Sequence, residues 1–154
     1  MAETPAKQEP QGCLPPLPAQ ALRNEGRLWD PLRKQEVAHT PEEEVRQRLI
    51  FHLLAERGFP AALMAVERAV QLGTRQRRFD LVVFSRTGQP LLLAECKAPT
   101  VALNDSVALQ IAHYNTVLQA SWLLLTNGLE LRVAHLQAEP PTWQFEVPNF
   151  NALV

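Results

Sequence analysis

Arg78-Phe79-Asp80-Leu81-Val82-Val83-Phe84 and Pro90-Leu91-Leu92-Leu93-Ala94-Glu95-Cys96-Lys97 are two apolar runs joined by Ser85-Arg86-Thr87-Gly88-Gln89. Apolar runs of this length around a glycine-bearing turn predict a β-hairpin. A hairpin centred on Thr87-Gly88 pairs positions whose numbers sum to 175, which sets Asp80 opposite Glu95. Directly opposite side chains share a face with Cβ atoms about 5 Å apart, and like charges there repel. A hard divalent cation between them turns that cost into a binding site. Lys97 shares the face of Glu95, because strand side chains alternate with a period of two. Cys96 points the other way, into packing. A bulged loop would shift the pairing by one and carry Asp80 to the opposite face, so the register decides the reading.

The segments around the hairpin extend the pattern. Thr40-Pro41-Glu42-Glu43 opens a helix: Thr40 is a good N-cap, Pro41 suits the first helical position, and Glu43 stands where a capping box places its acid. Val45, Leu49, Ile50, Leu53 and Leu54 follow at helical spacing, and Gly58 with Pro60 ends the helix. Met64 to Val70 reads as a strand. Asn104, Asp105 or Ser106 caps a second helix with Val107, Ile111, Tyr114 and Leu118 as its buried stripe. Trp122–Leu125 and Leu129–Ala134 read as strands about the Thr126-Asn127-Gly128 turn, and Trp143–Val147 as an edge strand. The hairpin strands are apolar on both faces, as central strands covered on both sides are. These readings predict one mixed α/β domain over residues 21–154, with helices on both faces of one sheet. Residues 1–20 carry five prolines and little periodicity, and read as a disordered or extended tail.

The bulk properties narrow the function classes. At 154 residues and 46% apolar, the chain is long enough for a sizeable core and too apolar for wholesale disorder. It has no apolar run of the roughly 18 residues a membrane span needs. The N-terminus does not resemble a signal peptide. Cys13 and Cys96 are badly placed to pair, which points to a reducing cytoplasm. The net charge of −1 is unevenly spread: residues 75–97 carry a net +3 and residues 98–154 a net −3. Positive charge around the carboxylate pair suits phosphates, although arginines also flank exposed strands for no functional reason.

At this point the pattern resembles a known family. Asp80, fourteen intervening residues and Glu95-Cys96-Lys97 resemble the PD-(D/E)xK nuclease superfamily. More closely, the chain resembles the N-terminal nuclease domain of type I restriction enzyme R subunits over roughly residues 28–135. The supporting stretches are Trp29-Asp30-Pro31-Leu32-Arg33, Thr40-Pro41-Glu42-Glu43-Glu44-Val45-Arg46-Gln47, Arg78-Phe79-Asp80, Glu95-Cys96-Lys97-Ala98-Pro99, Gln110-Ile111-Ala112-His113-Tyr114-Asn115 and Thr126-Asn127-Gly128. Phe79 replaces the name-giving proline, a position that varies widely. The resemblance implies a restriction-endonuclease-like mixed sheet with core order α-β-β-β-α-β flanked by helices. It implies a Mg²⁺-dependent deoxyribonuclease, with Mn²⁺ as substitute metal, leaving a 5′-phosphate and a 3′-hydroxyl. Asp80, Glu95 and the backbone carbonyl of Cys96 would hold the metal. Lys97 would orient or activate water, or stabilise the pentavalent phosphate. Glu43 would bind a second ion or a metal-bound water, and Gln110 and Tyr114 would position water, lysine or phosphate. Arg75 and Arg78 are candidate phosphate contacts. The R subunits carry a helicase motor after this domain, so translocation is not expected of this chain.

Each assignment has a plainer competitor. Asp80 and Lys97 also suit solvated strand ends, Glu43 is explained by capping alone, and Tyr114 fits the core stripe. Two further readings stay open beside the nuclease. One is a catalytically silent module of the same fold that binds DNA or a partner. The other is a subunit that works only in a complex or homodimer, docking through Trp143, Phe145 and Phe150.

Overall fold

The computed structural model describes residues 12–154. A small antiparallel hairpin comes first, β1 (Arg27–Asp30) with β2 (Gln35–Ala38), followed by helix α1 (Pro41–Glu56). A sheet in spatial order β3-β4-β5-β6-β7-β8 follows. Its strands are β3 (Met64–Leu72), β4 (Arg75–Phe84), β5 (Pro90–Cys96), β6 (Trp122–Thr126), β7 (Leu131–His135) and β8 (Trp143–Gln144). Helix α2 (Asp105–Leu118) connects β5 to β6, which is the one parallel pair in a sheet otherwise antiparallel. A parallel pair needs such a crossover. A short helix α3 (Phe150–Leu153) closes the chain.

The two helices cover opposite faces. Val45, Leu49 and Leu53 of α1 pack with Leu81, Val83, Leu92, Ala94 and Cys96. Ile111 of α2 packs with Phe79, Val82, Leu93, Leu123 and Leu125. Fully burying one such aliphatic side chain is worth about 1.5–3 kcal/mol, so these two layers carry the sheet. Thr40 caps α1 by accepting from the Glu43 amide at 3.1 Å, and Asn104 caps α2 by accepting from the Val107 amide at 3.1 Å. The other half of the expected capping box is missing: the Thr40 amide donates to the Ala38 carbonyl, and the Glu43 carboxylate turns elsewhere.

The hairpin register is the expected one through its centre. Leu81 pairs with Ala94, Val82 with Leu93 and Val83 with Leu92. The turn is a bulged loop, with the shift confined to Val83/Phe84 on the loop side. It therefore leaves the register near Asp80 untouched. There the ladder opens. The Cys96 amide donates to Asp80 Oδ2 at 2.8 Å, so a side chain takes the place of a strand carbonyl.

Several elements differ from expectation. Residues 1–11 of the expected tail lie outside the described residues. From Leu14 onward the segment is docked: Leu14 is buried, its amide bonds the Gly128 carbonyl, and Arg48 donates to the carbonyls of Leu14 and Pro15. An extended proline-rich segment has free carbonyls, and Arg48 collects them. Phe150, expected at a docking surface, is buried at 2% exposure against Phe59. The last edge strand is two residues, Trp143–Gln144, shorter than predicted. No helix is long and apolar enough to cross a membrane among the described residues.

Candidate active site

Two strands and both long helices bring the candidate residues together where the C-terminal end of β5 meets the middle of β4. Asp80, 7% exposed, is held on both oxygens: Oδ2 accepts from the Cys96 amide and Oδ1 from Arg46 Nη2 at 2.7 Å. Glu95 is largely covered, and Lys97 Nζ lies 3.4 Å from its Oε1. Lys97 also donates to Gln110 Oε1 at 3.4 Å, and Gln110 Nε2 donates to Tyr114 Oη at 3.1 Å. Gln110 and Tyr114 are one helical turn apart and so share a face of α2. The Tyr114 ring rests 5.9 Å from that of Phe79. The residues form a continuous line, Glu95–Lys97–Gln110–Tyr114, with Asp80 behind it.

The charges are strongly coupled. Burial, followed by the repulsion of Asp80, pushes Glu95 up to about 8, with Lys97 offsetting part of the shift. Burial and then Asp80 also raise the Cys96 thiol, which matches a packing role on the α1 face. The raised Glu95 carboxyl keeps its proton near neutral pH, so the two carboxylates repel each other only once that proton is lost. Mg²⁺ habitually uses one or two carboxylates with water completing its shell. An ionised carboxylate offers about four lone-pair sites, so Asp80 retains capacity beyond Arg46 and the Cys96 amide. Among the described residues no group of three or more His, Cys, Asp or Glu side chains is spaced to hold a metal.

Glu43 is not placed as a free ligand. Its carboxylate accepts from Arg33 Nη2 at 2.6 Å, Arg46 Nη1 at 2.7 Å and Gln47 Nε2 at 3.0 Å. The neighbouring Glu42 is exposed at the same end of α1. Its carboxyl is raised by burial and then by Asp80, while Lys97 and Arg46 partly offset this. The signal that could have found it is spacing, because Glu42 and Arg46 are one turn apart on α1.

Arg46 is the residue the sequence reading passed over. It is 5% exposed and bridges Asp80, Glu43 and Glu67. Burial alone would lower its pKa, but Asp80 and Glu43 together raise it, so it stays charged. Arg33 ties the same network to β1, through Asp30 and Glu43, and to Glu67 at 3.3 Å. Asp30 is fully buried. Burial would raise its carboxyl, but bonds from the Arg33 amide, the Arg33 side chain and the Leu32 amide lower it overall. Glu67 has φ of 52°, a left-handed conformation inside β3 between the Val66–Leu81 and Arg68–Phe79 pairs. That conformation costs a non-glycine residue about 1–2 kcal/mol. It also changes which face each strand presents. Val66 and Leu81 pack on the α1 side, Val70 and Phe79 on the α2 side. The twist at Glu67 and Asp80 turns Asp80 toward Arg46.

Of the two candidate phosphate contacts, Arg75 pairs with Leu72 and Arg78 with Ala69, so the odd-numbered and even-numbered arginines take opposite faces of β4.

Comparison with known proteins identifies the family and the fold. The sequence profile of the family described as type I restriction enzyme R protein N terminus matches residues 41–147. A solved fragment assigned to an HsdR subunit of a type I restriction enzyme from Vibrio vulnificus YJ016 shares the fold, with a TM-score of 0.56 at 17% identity. The match covers 73% of this chain and 24% of that one, so the chain spans about a quarter of the fragment's length. No curated protein matches the chain. The matched profile spans most of the domain, from the first residue of α1 past the last strand, and the chain belongs to the family of type I restriction enzyme R protein N-termini.

Proposed function

We infer that this chain is a metal-dependent DNA endonuclease module of the PD-(D/E)xK type, with a restriction-endonuclease-like core ordered α-β-β-β-α-β. The observation that carries the reading is buried Asp80 on β4 and half-buried Glu95 on the neighbouring strand, with Lys97 at 3.4 Å from Glu95. The fold match to an HsdR fragment supports the same reading. Asp80, Glu95 and the Cys96 carbonyl would hold Mg²⁺ or Mn²⁺, which when bound supplies an activated water and neutralises phosphoryl charge.

The protein's own residues do the rest. Lys97 places a positive charge beside the carboxylate that faces the substrate, where charge develops on the phosphate. Gln110 accepts from Lys97 and donates to Tyr114, which fixes the lysine's direction. Glu42, in place of Glu43, is the α1 acid positioned for a second ion or a bound water. Glu43 acts through Arg46, holding it against Asp80. DNA is the substrate and a reducing cytoplasm the setting, in keeping with two free cysteines. A protein partner would meet Trp143 and Phe145, which are 39% and 40% exposed.

One observation favours a second reading. Arg46 already supplies a cation to Asp80, as it would in a catalytically silent module of the same fold. Cleavage of supercoiled and single-stranded DNA in Mg²⁺ and Mn²⁺ decides between them. The nuclease reading expects cleavage by the parent, with 5′-phosphate ends, and about 10²–10³-fold less with Lys97→Ala, as for loss of one preorganised stabilising group. Asp80→Ala should be inactive. A parent that binds DNA and cleaves none in either metal would establish the silent module.

A further inference from the structure

The outer part of the β3–β4 ribbon has a composition and exposure that the reactive centre does not explain. Pairing of β4 with β5 stops at Leu81–Ala94, whereas pairing with β3 continues from Arg68–Phe79 to Leu72–Arg75. The two strands therefore project beyond the sheet as a two-stranded arm, closed by Gly73-Thr74. Gly73 has φ of 62°, as the first residue of a tight II′-type hairpin turn requires. Residues 68–78 contain four arginines and no acid. Among the described residues, Arg68, Arg75, Arg77 and Arg78 form no ion pair, in contrast to Arg33 and Arg46.

The register sorts these arginines. Arg68 lies opposite Phe79, and Arg77 opposite Val70; Phe79 and Val70 both pack on the α2 side. Arg75 alternates onto that same side, and Arg78 onto the reverse. The Arg68 guanidinium lies over the Phe84 ring at 5.1 Å, which braces its charge on the same side. Phe79 touches Tyr114, so the arginine face begins where the Lys97–Gln110–Tyr114 line ends. From Phe79 to Arg75 the strand runs about 13 Å, at roughly 3.3 Å per residue. That is roughly four base pairs of duplex at about 3.4 Å each. The exposed arm carries no aromatic side chain, and aromatic stacking platforms are what single-strand binders use.

We propose that the α2-side face of this arm, through Arg68, Arg75 and Arg77, grips the phosphate backbone of duplex DNA beside the reactive centre, and that Arg78 takes no part. The choice of DNA rests on the nuclease reading, but binding is measured apart from cleavage.

The test is fluorescence anisotropy of a labelled duplex against salt concentration, in Ca²⁺. It compares the parent, the triple variant Arg68→Gln/Arg75→Gln/Arg77→Gln, the matching triple lysine variant, and Arg78→Gln. Each neutralised phosphate contributes about 0.9 to the log–log salt slope. The expected result is a slope shallower by roughly 2–3 for the glutamine triple, and an unchanged slope for the lysine triple and for Arg78→Gln. A triple variant with the parent's slope, an equal effect from Arg78→Gln, an effect on a single strand only, or a parent that binds no duplex would each overturn the proposal. Arg77→Gln alone, expected to remove roughly 0.9 from the slope, keeps the test intact should the triple variant fold poorly. A slope that behaves as expected in a parent that cleaves nothing in either Mg²⁺ or Mn²⁺ would sink the nuclease reading and leave the arm standing. Cleavage with an unmoved slope would do the reverse.

Discussion

From Leu81 to Val83, β4 is buried between β3 and β5; from Arg75 to Arg78 the same strand has only β3 beside it and three arginines along it. The boundary falls at Asp80 and its cross-strand neighbour Glu67. On the inner side an arginine, Arg46, is buried and fully engaged by carboxylates. On the outer side the arginines form no ion pair among the described residues, with Arg75 and Arg78 exposed and Arg77 half-buried. One residue type thus does two jobs, set by its neighbours. Buried beside carboxylates it fixes a site; exposed in a row it is free for a polyanion. The Glu67 twist separates the two.

If that comparison is right, the largest loss should come from the inner arginine. Arg46→Ala leaves Asp80 buried without its counter-charge and Glu43 with Arg33 alone, and breaking a buried pair on one side costs about 3–5 kcal/mol. Denaturant unfolding should show it. A loss below about 1 kcal/mol, the range of exposed pairs, would erase the distinction between inner and outer arginines.

Next in size is the effect of pH through Glu95. Its carboxyl titrates near 4.5 when unfolded and at about 8 when folded. The folded state therefore holds a proton that the unfolded chain releases. Its contribution to stability is full below about 4.5 and is lost as pH rises through 8. Thermal melts in EDTA should fall between pH 6 and pH 9 by more in the parent than in Glu95→Gln. Parallel profiles for the two proteins would show that Glu95 is not held protonated.

The twist itself gives a smaller effect. Asparagine tolerates the left-handed region better than a β-branched residue does. Glu67→Val should therefore unfold at lower denaturant than Glu67→Asn, by about 1–2 kcal/mol. Equal stabilities would mean that the backbone at Glu67 relaxes and that the boundary is soft. Smallest of all, Arg75→Gln and Arg77→Gln should change stability by no more than about 0.5 kcal/mol, as exposed substitutions do. A larger change would place these side chains in the fold's own packing.

Much of this was legible in the sequence. The hairpin register from Leu81–Ala94 to Val83–Leu92 follows from hairpin spacing, and the bulge at Val83/Phe84 lies on the loop side, away from Asp80. The Gln110–Tyr114 contact follows from helical spacing. What was hidden depends on tertiary choices. Capping grammar accounts for Glu43 locally, yet its capture by Arg33, Arg46 and Gln47 depends on how α1 packs against β1 and the sheet. Arg46 lies among apolar positions of α1, and only the arrival of β4 and β3 gives it Asp80 and Glu67 as partners. The β1–β2 hairpin went unread because its strands are four residues each; its turn is made by Asp30 accepting from the Leu32 and Arg33 amides. Residues 14–15 have no periodicity to show that Arg48 will hold their carbonyls.

The central claim is that Asp80 and Glu95 form a cation site. Calorimetric titration of Mn²⁺ into the parent and into Glu95→Gln at pH 8.5, roughly the pH at which Glu95 has given up its proton, tests it most directly. Saturable binding by the parent that disappears in the variant is the predicted result. Absence of binding in the parent, or binding unchanged by Glu95→Gln, would contradict it.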